Sequence, residues 1–366
     1  MRIALVHKDI GVVERGGVSA LYWSLAQGFR DLGWDVHLVT TRETPTRVEG
    51  ISFHVLPRVS DPLVHSHKVA ELLTTLSPDI CECSNWKFEL LEYLRKSERG
   101  KVVVRCDPSV SRMFGPEPLL EQGERELCQL SDCLVAVSDF ARRDIESAYG
   151  VKVHRVIHNG ISLKGWLDDC SETLNSGIEL DSQGTEVRPL QGIKLSELIP
   201  QSASMVYWIG KTSRMKGYDV LQNIVQKTPY PIVFVLSLGM SPSEVHWEAN
   251  KDYQTIRIRD LTRPDQAKLF RRAQAFLLTS RVEGFCLAAV EALAFGLKVV
   301  ANLECEVLSE YPASNDLVRV SMQDPQMAIS QLLNVLSEKK SQAAAPIFPI
   351  EATVKQTLEL YNELVV

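Results

Sequence analysis

At 366 residues the chain is too long for one ordinary core and suits two α/β domains of similar size. Its hydrophobic content of 45% and charged content of 23% are those of a globular protein, and a formal net charge of -6 gives no general attraction to nucleic acid or anionic lipid. The eight cysteines lack zinc-knuckle or redox spacing, no leading segment has a signal-peptide pattern, and no apolar run approaches the roughly 20 residues of a membrane span, so a cytoplasmic protein with reduced thiols is expected.

Short β-branched runs open the chain at Ile3–His7, Val36–Thr40, Ile51–Leu56, Ile80–Cys83, Val102–Arg105 and Cys133–Ser138, separated by helical patterns. That alternation predicts a parallel sheet covered on both faces. After Gly17, the residues Val18, Leu21, Tyr22, Leu25, Ala26 and Phe29 fall at helical spacing and define one buried stripe. From Leu163 to Ser204 the pattern dissolves into polar and turn-forming residues, with only Ile193–Ile199 regular, which marks a domain junction and an inserted excursion. A second series follows at Met205–Ile209, Ile232–Leu236, Thr255–Ile258, Ala275–Leu278, Lys298–Ala301 and Leu317–Val320. A last amphipathic segment carrying Ile350, Val354, Leu358 and Tyr361 is expected to cross back onto the first domain. The expected boundaries are 1–165 plus 350–366 for the first Rossmann-like domain and 166–349 for the second.

Three constellations could carry chemistry. Arg15-Gly16-Gly17-Val18 lies between the first strand and its helix, where glycines let backbone amides approach an anion at a helix N-terminus. A tight turn explains it equally well. Gly210-Lys211-Thr212-Ser213-Arg214-Met215-Lys216-Gly217 puts three cations at the carboxyl end of a buried strand, where open α/β sheets bind ligands. A solvated charged loop is the plain alternative. In the segment Ser280–Gly296, Glu283 follows a strand and Glu291 sits among apolar helical residues, where a carboxylate needs a partner. For Glu291 that partner could be a ribose diol or a salt bridge, and Glu283 could be a first-turn helix acid.

Glu-Gly-Phe-x-Leu followed by Glu-Ala-x-Ala-x-Gly, with Gly-Lys-x-x-x-x-Lys-Gly and Gly-Gly before it, resembles the retaining family 4 glycosyltransferases of the GT-B fold. Val137-Ser138-Asp139-Phe140 and Ile157-His158-Asn159-Gly160-Ile161 are similar to further landmarks of that family, so the likeness spans nearly the whole chain. The resemblance implies a nucleotide-sugar donor held mainly by the second domain, an acceptor held mainly by the first, and a cleft between them, with no metal and no cofactor beyond the donor. A small, polar, soluble acceptor is expected from the acids of the first domain and from the lack of a basic amphipathic helix there, and the net charge argues against a nucleic-acid partner. Glu291 would hold the donor ribose and Glu283 the transferred sugar, with the amides of Phe285, Cys286 and Leu287 facing the donor. Lys211, Lys216 and Arg214, beside Gly210, would neutralise the departing diphosphate, with Gly16 and Gly17 approaching it from the other side.

Three positions depart from the family pattern. Lys211 stands where arginine is usual, Cys286 replaces a common glycine or serine, and Asp107 occupies the neighbourhood of a family histidine, where an Asp-Pro turn is an alternative reading. Glu14, Glu82, Trp86 and Asp107 are acceptor-side candidates, Trp86 also being suited to core packing. Asp9, Glu14, Asp61, Glu82 and Asp107, read as acids at strand ends, suggest a cationic acceptor; ordinary surface acidity is the alternative. His7 ends the first strand, and His65 and His67 read as surface residues. Other readings of the resemblance are a transferase-like protein that binds a nucleotide-sugar without catalysis, or another GT-B enzyme such as an epimerase or phosphorylase.

Overall fold

Strands whose side chains are apolar on both faces, spaced by amphipathic helices, build two separate sheets in the computed structural model, which describes residues 1–11, 16–164, 166, 171–181, 186–229, 232–239 and 255–365. The chain divides into one unit of Met1–Ser162 with Phe348–Val366 and a second of Leu163–Ile347.

The first unit holds β1 (Arg2–Val6), β2 (Asp35–Thr40), β3 (Arg47–Val48), β4 (Ile51–Val55), β5 (Ile80–Ser84), β6 (Lys101–Cys106), β7 (Cys133–Ala136) and β8 (Arg155–Val156). Their order is β3-β4-β2-β1-β5-β6-β7-β8, parallel except for the edge pair β3–β4. The chain leaves β1 toward β2 on one side and later returns to place β5 on the other, which makes β1 the topological switch point of the sheet. Its helices are α1 (Gly17–Asp31), α2 (Pro62–Leu76), the short α3 (Leu91–Leu94) and α4 (Val110–Phe114), α5 (Pro118–Leu130) and α6 (Asp139–Tyr149). Side-chain oxygens begin three of these helices: Asp61 accepts from the Leu63 and Val64 amides, Ser109 from Arg112 and Ser138 from Ala141.

The second unit has the order β10-β9-β13-β12-β11-β14-β15-β16, built from β9 (Ile178–Leu180), β10 (Glu186–Pro189), β11 (Ser204–Gly210), β12 (Ile232–Leu238), β13 (Thr255–Arg259), β14 (Ala275–Leu278), β15 (Lys298–Asn302) and β16 (Leu317–Val320). Its helices are α7 (Leu195–Leu198), α8 (Tyr218–Lys227), α9 (Arg263–Arg272), α10 (Leu287–Ala294) and α11 (Pro325–Ser337). The excursion contains more than its one expected regular stretch. Ile178–Leu180 and Glu186–Pro189 pair antiparallel with each other, and β9 extends the sheet beyond β13. β10 is the edge strand and β9 the next one in; both are short with no buried residue, so they leave no apolar run to read.

The last helix, α12 (Ile350–Val365), returns to the first unit. Ile350, Leu360 and Tyr361 enter that unit's core, where the Tyr361 ring lies 5.5 Å from Phe29. Among the described residues no helix is long and apolar enough to cross a membrane.

Candidate active site

In the second unit two loops are stapled together at the carboxyl ends of the adjacent strands β11 and β14. Thr279 accepts from the Trp208 indole at 3.0 Å and donates to the Lys216 carbonyl at 2.8 Å. The Arg281 amide donates to the Met215 carbonyl at 2.9 Å, and its guanidinium donates to the Arg214 carbonyl at 2.7 Å. Gly217 closes the loop with φ 64°, and a Cβ there would lie 2.0 Å from the Thr279 oxygen, so the close approach admits only glycine. The same packing brings Lys216 to Glu283, with Nζ 2.7 Å from both carboxylate oxygens.

Ser280 donates to Glu283 Oε1 at 2.6 Å, fixing the carboxylate from behind. Burial works against the Lys216 ammonium, and the adjoining Glu283 carboxylate more than offsets it, leaving the lysine pKa above its ordinary value. A fixed cation backed by a carboxylate therefore stands at a strand end. Lys211 and Arg214 are exposed on the same loop, and Gly210 ends β11 with its Cα turned toward the Trp208 ring. Arg281 is a further cation there, held bidentate by Asp219 at 2.8 Å.

The segment after Glu283 turns sharply into α10. Cys286 caps the helix with φ 69° and ψ 64°, a left-handed conformation that suits glycine and strains cysteine. The Tyr311 hydroxyl secures the turn, 2.6 Å from the Phe285 carbonyl and 2.9 Å from that of Cys286. No side-chain oxygen caps α10, so the first-turn amides, beginning at Leu287, present their partial positive charge at this end of the site. Glu291, one turn further on, is buried and meets Arg263 at 2.5 Å, with the guanidinium lying over the Trp166 ring. The salt-bridge alternative for Glu291 thus has its partner in place at the start of α9.

On the first unit Gly16 caps α1 with φ 95°, and nothing lies within 4 Å of where its Cβ would be. Gly17 begins the helix, while Glu14 and Arg15 lie outside the described residues. Asp107 follows β6, half-buried, and its amide donates to Asn85 Oδ1 at 2.9 Å. Asn85 in turn donates to Glu124, which also accepts from the Val110 amide and the Tyr149 hydroxyl, so a buried carboxylate fixes the loop carrying Asp107. Burial raises the Glu124 pKa to about 7 in spite of these bonds.

Several expectations need correction here. Glu82 is no acceptor-side acid: it is fully buried within β5, where Arg105 grips it at 2.7 Å and Tyr361 donates to its other oxygen. Asp61 serves as a helix cap. His65 is buried rather than on the surface, 3.1 Å from Glu89. Trp86 is half-buried against Phe114, the ring centres 4.9 Å apart. His7 lies one residue beyond β1, and its Nδ1 accepts from the Asp9 amide.

The fold is shared with solved glycosyltransferase structures. Sucrose-phosphate synthase from Thermosynechococcus elongatus superposes with a TM-score of 0.76 at 16% identity, covering 99% of this chain and 98% of that one. Anabaena HepE in complex with UDP and glucose gives 0.72 at 15% identity over 100% of both chains. The architecture is the GT-B fold. Residues 15–164 match the model of Glycosyltransferase Family 4, and residues 196–345 match that of Glycosyl transferases group 1. A D-inositol 3-phosphate glycosyltransferase of Corynebacterium urealyticum is 26% identical over 265 residues, which span 66% of this chain and 59% of that relative. The chain belongs to the family 4 glycosyltransferases.

Proposed function

We propose that the protein transfers a sugar from a nucleotide-sugar to an acceptor hydroxyl, with retention at the anomeric carbon and without a metal. The observation that carries the reading is the fixed Lys216–Glu283 pair at the ends of β11 and β14, preceding the N-terminus of α10, whose cap residue offers no side-chain oxygen. Lys216 and the α10 amides supply positive charge where a diphosphate would leave, which is the task a metal performs elsewhere. Glu283 serves the sugar hydroxyls and Glu291 the ribose. The anomeric C–O bond to the diphosphate breaks as the acceptor oxygen bonds to the same face, and the acceptor proton passes to the departing phosphate oxygen. Because HepE is described in complex with UDP and with UDP-glucose, uridine nucleotides are the first donors to try.

Turnover is expected to survive EDTA; complete loss, restored by magnesium or manganese, would contradict the metal-free reading. Retention is read from the anomeric configuration of the first product by proton NMR, and an inverted product would overturn it. Glu291→Ala should weaken UDP and UDP-glucose alike by roughly ten- to hundredfold, the worth of hydrogen bonds to a charged group, because both contain the ribose. Calorimetric titrations of the two ligands decide it, and unchanged UDP affinity would remove Glu291 from the ribose.

A further inference from the structure

At the switch point of the first sheet lies a cavity of about 360 Å³, lined by Lys8, Thr41, Arg58, His65, Lys87 and Glu89 among others. Lys8 follows β1, Thr41 follows β2, Arg58 follows β4 and Lys87 follows β5, so the carboxyl ends of four strands converge on it. The size suits a small hydroxylated molecule.

The charge of its wall is out of balance. Lys8, Arg58 and Lys87 bring three cations against the single carboxylate of Glu89. Among the described residues the side-chain nitrogens of none of the three have an ion pair or a hydrogen bond to an acceptor. Burial first, and then the nearby Lys8 charge, hold the Lys87 pKa below its usual value; Arg58 adds to the repulsion. Lys87 is also placed at a cost: it and Phe88 both have positive φ, 60° and 43°, in the turn after β5.

Glu89, with Asp9 nearby, offsets this charge only in part. Its Oε1 is engaged by the Lys8 amide at 3.0 Å and by His65 at 3.1 Å. Its Oε2 is buried and has no hydrogen-bond partner among the described residues. A buried carboxylate oxygen in that condition accepts a hydroxyl when one is supplied. Surplus positive charge beside one such oxygen matches a phosphate group on a polyol, the phosphate meeting the cations and a hydroxyl meeting Glu89.

We propose that this cavity binds the phosphate group of a phosphorylated, hydroxyl-bearing acceptor, with Arg58, Lys87 and Lys8 on the phosphate and Glu89 Oε2 on a hydroxyl. The assignment of the bound molecule as acceptor rests on the transfer reading above. It reverses the cationic acceptor suggested by the acids of the first domain, since Asp61 caps a helix and Glu82 is buried in an ion pair.

The test titrates the full chain calorimetrically with inorganic phosphate and, separately, with UDP. Phosphate affinity should fall at least tenfold in Arg58→Ala/Lys87→Ala and remain unchanged in Arg188→Ala, on an exposed strand of the second unit. Lys87→Gly, which suits the left-handed backbone, is the second variant if the alanine form folds poorly. At least one of glycerol 3-phosphate, glucose 6-phosphate and myo-inositol 1-phosphate should bind more tightly than inorganic phosphate, with the gain lost in Glu89→Gln. Phosphate binding that depends on Lys216 and ignores Arg58 and Lys87, or no phosphate binding at all, would overturn the proposal. Retained UDP binding beside such a failure leaves the donor reading standing; absent UDP binding beside a phosphate site that needs Arg58 and Lys87 sinks the donor reading alone. Co-sedimentation with phosphatidylcholine vesicles containing phosphatidic acid, lost with Arg58 and Lys87, would assign the phosphate to a lipid headgroup, and its absence to a free acceptor.

Discussion

Lys216→Ala is expected to lower kcat by about a hundred- to thousandfold, roughly 3–4 kcal/mol, the usual loss when one preorganised electrostatic contact to a developing charge is removed. The ammonium sits 2.7 Å from both Glu283 oxygens, and its backbone is clamped by Thr279, so it is held in place before the donor arrives. Charge on the diphosphate grows as the anomeric bond breaks, which makes this contact stronger in the transition state than in the ground state. Donor affinity should therefore change less than turnover. The side chains of Lys216 and Glu283 are only 22% and 11% exposed, so removing the lysine also strands a carboxylate, and thermal unfolding must be measured beside kinetics. Glu283→Ala provides the contrast, sparing free UDP while lowering turnover and loosening the choice of sugar. Near-normal turnover in folded Lys216→Ala would show that the donor site has been misassigned.

What the sequence displayed and what it concealed follow from how far apart the interacting residues lie. Central strands such as Val36–Thr40 and Ile232–Leu236 are legible because parallel strands covered on both faces must be apolar almost throughout. The two loops of the candidate site are legible because glycine and charge are concentrated there over a few residues. Arg263 was not, since nothing in Arg-Pro-Asp-Gln marks it as the partner of Glu291, 28 residues later, until α9 and α10 are placed side by side. The cationic cavity was hidden for the same reason: its lysines and arginine each follow a different strand and form no motif. Cys286 shows the converse case, where the substitution was visible and its cost was not. A left-handed φ at that position explains why glycine suits the family pattern.

Glu82→Ala should destabilise the first unit by about 3–5 kcal/mol, because a charge that looked like surface acidity belongs to the most buried ion pair of that unit. Glu82 occupies the inner strand β5, flanked by β1 and β6, where neither face is solvated. Its two oxygens are taken by Arg105 of the neighbouring strand, with contacts of 2.7 and 3.3 Å, and by the Tyr361 hydroxyl of α12 at 2.5 Å. Thr357 accepts a further hydrogen bond from Arg105 at 3.1 Å, so Tyr361 and Thr357 tie the returning helix to the buried pair, beside its apolar face and the Glu363–Arg155 pair at the surface. Removing the carboxylate leaves the guanidinium buried, with one nitrogen already lacking a partner. For a unit of this size the loss corresponds to a fall in Tm on the order of 10 °C. Glu82→Leu/Arg105→Met, which replaces both charges by apolar groups, should recover most of it, since the energy at stake is chiefly the cost of stranding one ion. Tyr361→Phe removes one charge-assisted bond and should cost roughly 1.5–3 kcal/mol, less than the loss of the carboxylate itself. Scanning calorimetry of the three variants against the parent sets the order. If Glu82→Ala unfolded within 1 or 2 °C of the parent, or the paired substitution were no more stable than the single one, the buried pair would not be what ties the sheet to its last helix.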